Sequence, residues 1–218
     1  MNSVKVSILI TLATVIASAA TLVNLPEGLT LPIHWNINGE VDRFADATHA
    51  LLMPPAIMIG TLTLLFVLKY IEPRKQNLLD SLQAAKAIIT AIIVFFAVIE
   101  ASYIALIMGV DFEMHKVILS AVGALFIVTG NYMTKTRSNF FIGIKTPWTL
   151  SSDIVWKKTH RLGGKLFMIA GLLIIVLIPF IDNQVLKVVL PVVVLPAALI
   201  PVAYSWWAWR QEQEQEQG

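Results

Sequence analysis

Residues able to do chemistry gather in three places. The stretch 139–165, NFFIGIKTPWTLSSDIVWKKTHRLGGK, holds Lys145, Lys157, Lys158, Arg161 and Lys165 together with Trp148, Trp156 and His160. The stretch 24–50 holds His34, Glu40, Asp42 and His49, side chains of the kind that take up a divalent cation. Glu100 stands apart from both, inside a long apolar run. An ionisable group at membrane depth costs about 2.5–3.5 kcal/mol unless it is paired or neutral, so Glu100 must face other protein. The chain has no cysteine, which excludes disulfides, thiolate metal sites and thiol nucleophiles.

Each group has a plain reading beside a sharper one. The spacing of His34, Glu40, Asp42 and His49 matches no compact zinc motif. A hydrogen-bonded cap pinned to the bilayer by Trp35 explains these residues, and recognition of an extracellular peptide is the functional alternative. For Glu100 the plain reading is a neutral carboxyl, or one bonded to Tyr103 or a neighbouring helix, and the sharper one is a proton or cation relay. His160 has no nucleophile beside it in the sequence, and a structural histidine bonded to Asn131 or Asn139 accounts for it. Those two amides are expected to cap the loop. No catalytic residue and no cofactor is called for.

The basic stretch allows two explanations. Lipid headgroups attract each cation by about 1 kcal/mol near the surface, and Trp favours that depth. A docking face for a cytoplasmic protein would also account for Thr146-Pro147, Thr149 and His160, which lipid anchoring does not require. From Asp153 onward Lys157, Arg161 and Lys165 recur every four residues and share one helical face, with Trp156 and His160 on another. Gly163-Gly164 reads as a hinge or a point of close packing.

The elements that hold these groups are membrane helices. The chain has 218 residues, 57% hydrophobic and 14% charged, against about 25% charged in soluble domains. Six apolar segments are long enough to span: about 4–23, 51–70, 85–108, 115–133, 166–181 and 185–209. The fifth is short unless it begins inside the preceding loop. The first, with Lys5 and Ala17-Ser18-Ala19, has features of a cleaved signal peptide, but an even helix count fits the charge pattern better as a retained helix.

Sorting Lys and Arg by alternate connections puts thirteen of the 16 on one side. Only Arg43, Lys116 and Lys187 fall on the other. The positive-inside rule then makes both termini cytoplasmic. Asn38-Gly39 is a tight-turn signal that joins two short strands in the first outer loop. Pro191, Pro196 and Pro201 are expected to kink the last helix. The expected organisation is a single all-α membrane domain over 1–210, with six transmembrane helices, an outer loop cap and a basic cytoplasmic loop. Residues 211–218, QEQEQEQG, read as a disordered tail.

Two stretches resemble a known family. Gly130-Asn131-Tyr132-Met133, Asn139, Gly143-Ile144-Lys145-Thr146-Pro147-Trp148-Thr149-Leu150, Trp156 and Lys158-Thr159-His160-Arg161 resemble the signature of the SdpI immunity-protein family. That region covers about 115–209. Leu31-Pro32-Ile33-His34-Trp35-Asn36 with Gly39-Glu40 and Asp42, in a module over about 4–70, is similar to the amino-terminal module often found in the same proteins. The resemblance implies a multi-pass protein of a prokaryotic cell membrane that gives immunity to a secreted, membrane-active peptide toxin and holds a cytoplasmic repressor at the membrane. The implied partners are lipid, an extracellular peptide and that repressor, with no direct contact to nucleic acid. A small proton-coupled transporter using Glu100 is the alternative, and a metal-dependent membrane enzyme a third class.

Overall fold

A computed structural model of the chain describes residues 3–217. Six of its helices are long and apolar enough to cross a membrane. In chain order the elements are α1 (Ser3–Val23), the strands β1 (Thr30–Trp35) and β2 (Val41–Asp46), then α2 (Ala47–Ile71), α3 (Lys75–Asp80), α4 (Leu82–Ile107) and α5 (Met114–Met133). α6 (Pro147–Ser151), α7 (Asp153–Leu177), a 3-10 turn (Ile178–Phe180) and α8 (Asn183–Gln217) complete the chain.

α1 shows which solvent the bundle is built for. Its buried residues are Ser7, Thr11, Thr14 and Ser18, while Leu9, Leu12 and Ile16 point outward, Ile16 with 68% of its surface exposed. The polar side faces in and the apolar side faces out, the reverse of a helix in water. Each of the four hydroxyls donates to the carbonyl four residues earlier, at 2.9–3.1 Å. The stripe is thereby satisfied within its own helix, and Ser7 also meets Thr90 on α4 at 3.0 Å.

The helices form two groups of three. α1, α2 and α4 pack on one another, α7 packs on both α5 and α8, and the α4–α5 contact joins the groups. Glycines set the α5–α7 distance. A Cβ on Gly130 would stand 2.6 Å from the Gly164 carbonyl oxygen, and one on Gly164 would stand 2.6 Å from that of Gly130. Seven residues along each helix, a Cβ on Gly123 would lie 2.9 Å from the Gly171 carbonyl oxygen. Without side chains at these crossings the backbones touch, as membrane helices do at small residues.

Two readings that the sequence leaves open are decided, and a third expectation changes. The fifth membrane helix begins at Asp153, capped by Ser152, whose Oγ accepts from the Val155 N–H at 3.2 Å. The amphipathic cytoplasmic helix and the fifth span are therefore one rod. Gly163-Gly164 lies within that unbroken helix as a contact and not as a hinge: Gly164 meets α5, and Gly163 admits Ile144 and Pro201. The segment expected to be a disordered tail continues α8 as far as Gln217. Arg210 and Glu214 face each other one turn apart at 3.7 Å, and Ser152 donates to Glu212 at 2.8 Å, which ties that extension to the cap of α7. Gly218 of that segment, like Met1 and Asn2 of the membrane domain, lies outside the described residues. α8 remains one helix through Pro191, Pro196 and Pro201.

Antiparallel connection leaves two unlike ends. At one end β1 and β2 pair as a hairpin, with α4–α5 and α7–α8 turning beneath it. The other holds α3, α6 and the loop 134–146.

Candidate functional site

The loop end is built around Glu72, only 1% exposed and located just past the end of α2. Its Oε1 accepts from the Arg74 N–H at 2.9 Å and its Oε2 from the Phe140 N–H at 3.0 Å. A buried carboxylate is tolerable when its oxygens receive such donors. Arg74 reaches the same loop, donating to Ser138 Oγ and, at 2.8 Å, to the Leu150 carbonyl. Asn77 donates to the Ser138 carbonyl at 2.7 Å, and Ser81 accepts from the Arg137 N–H at 2.8 Å. The short link between α2 and α4 thus grips the basic loop at four points. None of these four side chains stands out in the sequence, where Glu72-Pro73-Arg74-Lys75 reads as ordinary surface charge. The available signal is one acid among basic residues directly after an apolar run.

Asn139 is the loop's internal clamp. Its Oδ1 accepts from the N–H groups of Phe141 and Ile142 at 2.9 and 2.7 Å, and its Nδ2 donates to the carbonyls of Arg137 and Ile142 at 2.8 and 3.1 Å. Thr146 and Thr149 form a reciprocal cap on α6, and Thr146 Oγ1 lies 3.0 Å from Ser205 Oγ on α8. Trp156 is buried and donates from its indole to the Thr136 carbonyl at 3.0 Å.

His160 does not bond Asn131 or Asn139. Its Nδ1 donates to the Trp156 carbonyl one turn back at 2.8 Å, and its Nε2 accepts from the Ile144 N–H at 2.9 Å. These partners fix a neutral ring with its proton on Nδ1. The ring stacks on Trp156 with centroids 4.0 Å apart. Gly143, at φ 127°, lies against both rings, where a Cβ would stand 2.9 Å from the indole edge. Both nitrogens are used by the backbone, so His160 ties the loop to α7 through partners other than the two asparagines. Asn131 is exposed at the end of α5.

The cations are disposed differently. Lys157, Lys158, Arg161 and Lys165 are all exposed on the first turns of α7, while the neighbours Val155, Trp156, Thr159 and His160 are buried. Lys145 is exposed and donates to the Phe141 carbonyl at 3.0 Å, and Trp148 is half-buried on α6. One helical segment therefore separates a packing face from a cationic face.

The hairpin end is open. Asn36 organises its turn, its Oδ1 accepting from the N–H groups of Asn38 and Glu40 at 2.9 and 3.1 Å, with Gly39 at φ 81°. Asn36 Nδ2 donates to Glu40 at 3.0 Å. That bond, followed by one from Asn38, holds the Glu40 carboxyl below its ordinary pKa. His34 Nδ1 lies 2.5 Å from Asp42 across the strands, both side chains nearly half exposed. Among the described residues no three His, Cys, Asp or Glu side chains converge in a metal-binding group. The hairpin is latched to the bundle where Tyr103 donates to the Pro32 carbonyl at 2.7 Å and Asn183 donates to the Asn38 carbonyl at 2.6 Å. Trp35 packs edge-on against Tyr103, with ring centroids 6.1 Å apart.

Glu100 lies buried on α4 facing α1. Tyr103 bonds the hairpin instead, and the partner of Glu100 is Ser18, whose Oγ is 2.5 Å from Oε1. Ser18 Oγ also lies 3.0 Å from the Thr14 carbonyl. The Ser18 hydroxyl thus stands between the Thr14 carbonyl and the Glu100 carboxyl, a three-centre arrangement that ties α1 to α4. Glu100 Oε2 is buried without a hydrogen-bond partner.

The family model described as the SdpI/YfhL protein family matches residues 135–205, and that described as a domain of unknown function, DUF1648, matches residues 9–59. The first covers the basic loop, α6, α7 and most of α8, and the second covers most of α1, the hairpin and half of α2. Over 201 residues the chain is 26% identical to "Immunity protein SdpI" of Bacillus subtilis (strain 168), covering 92% of this chain and 93% of that one. No solved structure matches. The part of this chain that resembles the SdpI/YfhL protein family, residues 135–205, carries the clamped loop and the cationic face of α7.

Proposed function

We propose that this chain is a non-enzymatic immunity protein of a prokaryotic plasma membrane, protecting against a secreted, membrane-active peptide. The observation that carries the reading is similarity to an immunity protein over nearly the full length of both chains. Both termini lie in the cytoplasm, supported by the asymmetry of Lys and Arg between alternate connections. The hairpin then faces outward and the cationic start of α7 faces inward.

The exposed cations Lys157, Lys158 and Arg161, with Lys145 and Trp148 nearby, form the inner surface that holds a cytoplasmic repressor. His34, Trp35, Asn36, Glu40 and Asp42 form the outer one. A peptide bound outside changes repressor docking inside only by binding two states of the bundle with different affinity. Toxin-sensitive cells expressing the chain, with membrane insertion verified, should survive peptide doses that kill control cells; equal killing contradicts immunity. Reversal of Lys157, Lys158 and Arg161 to Glu should abolish membrane retention of the repressor while leaving insertion intact. Unchanged retention removes the docking half.

One observation favours a second reading. Glu100 Oε2 is buried without a partner, as in a carboxyl that exchanges a proton. If the chain couples protons to transport, Glu100→Gln abolishes pH-dependent flux in vesicles. A purely structural neutral carboxyl tolerates that change.

A further inference from the structure

Along the seam between α4 and α5 runs a lateral groove of about 940 Å³. Ala91 and Val98 line it from α4, and Ala121 and Ala124 line it from α5. It reaches from Tyr132 at the loop end to Lys116 and Glu113 at the hairpin end. Those limits are 16 residues apart on α5 (132 − 116 = 16), or about 24 Å at ~1.5 Å per residue. The groove thus crosses most of a hydrocarbon layer about 30 Å thick. A lipid chain belongs to one leaflet and fills only half that depth. A helix of about 16 residues fills it all, and the small side chains on both walls let a helix backbone approach closely.

The two mouths differ in charge. At the hairpin end the groove meets a second pocket of about 340 Å³, which shares Phe112 and Glu113 and adds Asp111 and His115. Glu113 is bridged to Lys116 at 2.7 Å, while Asp111 stands exposed beside them. At the loop end Lys135 lies 4.3 Å from the centre of the Tyr132 ring. A helix in the groove is favoured with its positive amino-terminal end toward Asp111 and its carboxy-terminal end toward Lys135.

We propose that this groove is the binding site for an apolar, helical membrane peptide with positive charge at its amino-terminal end, admitted sideways from the bilayer. The site is lined mainly by residues 87–132, between the segments that the two family models match. That the natural ligand is a toxin rests on the immunity reading; binding itself does not.

The test uses the full chain in phosphatidylcholine vesicles and two fluorescent Leu/Ala helices of about 18 residues, long enough to span the groove. One carries two Lys at its amino-terminal end and the other carries them at its carboxy-terminal end. The first should bind saturably and about tenfold more tightly than the second. Ala121→Trp and Ala124→Trp, each filling the groove, should weaken it by at least about tenfold, whereas Leu199→Trp on the exposed face of α8 should leave it unchanged. Absence of saturable binding, equal binding of the two peptides, or unaltered binding by both groove variants overturns the proposal. So does a dimer of this chain that Ala124→Trp dissociates, because a second copy would then own the groove. Cells protected equally by wild type and groove variants, with no peptide binding in vesicles, would refute the groove and leave immunity standing.

Discussion

The two ends of the bundle use polar side chains in opposite ways. At the loop end Glu72, Asn139, Trp156 and His160 are buried, and their partners are backbone groups of the loop itself. At the hairpin end His34, Glu40 and Asp42 are exposed and bond nearby side chains. The first arrangement fixes the path of a loop that has little regular structure of its own. The second leaves its side chains within reach of water and of a ligand. Conspicuous residues in the loop are therefore mostly scaffold, and the groups free to meet a partner are the cations on the other face of α7.

The largest effect should come from Glu72→Ala. It removes the acceptor for the part-buried N–H groups of Arg74 and Phe140, and a hydrogen bond to a charged group contributes about 1.5–3 kcal/mol. A loss of about 3 kcal/mol or more is expected in thermal unfolding of the detergent-solubilised protein. A change below about 0.5 kcal/mol would put Glu72 on a par with a surface residue and erase the contrast.

His160→Phe comes next. It keeps the stack on Trp156 but leaves the Ile144 N–H without its acceptor, a cost of about 1–3 kcal/mol. Hydrogen exchange at Ile144 should rise in the variant, and unaltered protection there would show that another group holds that turn. At the hairpin end His34→Ala should cost under about 1 kcal/mol, because exposed ion pairs contribute little. A loss as large as that of His160→Phe would mean that the hairpin is scaffold too.

The smallest effect is that of acid on the hairpin turn. The folded pKa of Glu40 lies below its ordinary value through its bonds from Asn36 and Asn38. Its contribution is therefore present above the ordinary Glu range, near pH 4.3, and is lost as pH falls through the lower folded value. Protection factors at Asn38 and Glu40, taken relative to intrinsic exchange at each pH, should fall on acidification in the wild type, and Glu40→Gln should remove that dependence.

How far the sequence discloses this molecule depends on whether a signal is local. Six apolar runs reveal the spanning helices, and Asn38-Gly39 marks the turn that became a hairpin. The start of α7 at Asp153 is legible in the four-residue recurrence of its cations, but its continuity with the fifth span is hidden, because Lys157, Lys158 and Arg161 belong outside the hydrocarbon although they continue the same rod. Glu72 is hidden for another reason. Its partner at Phe140 lies 68 positions away, and no pattern within its own segment separates a buried acid from a solvated one. His160 stands out by type, but its partners are backbone groups, which a sequence does not distinguish. The glycine crossings are legible in part: Gly163-Gly164 is conspicuous, whereas the reciprocal pairing of Gly130 with Gly164 depends on the α5–α7 contact.

The most direct test of the account is membrane potential, followed with a voltage-sensitive dye in toxin-sensitive cells during challenge with a secreted membrane-active peptide. Cells carrying the inserted wild-type chain should keep their potential at doses that depolarise cells lacking it. Depolarisation at the same dose and rate in both, with the chain inserted and folded, would contradict an immunity role.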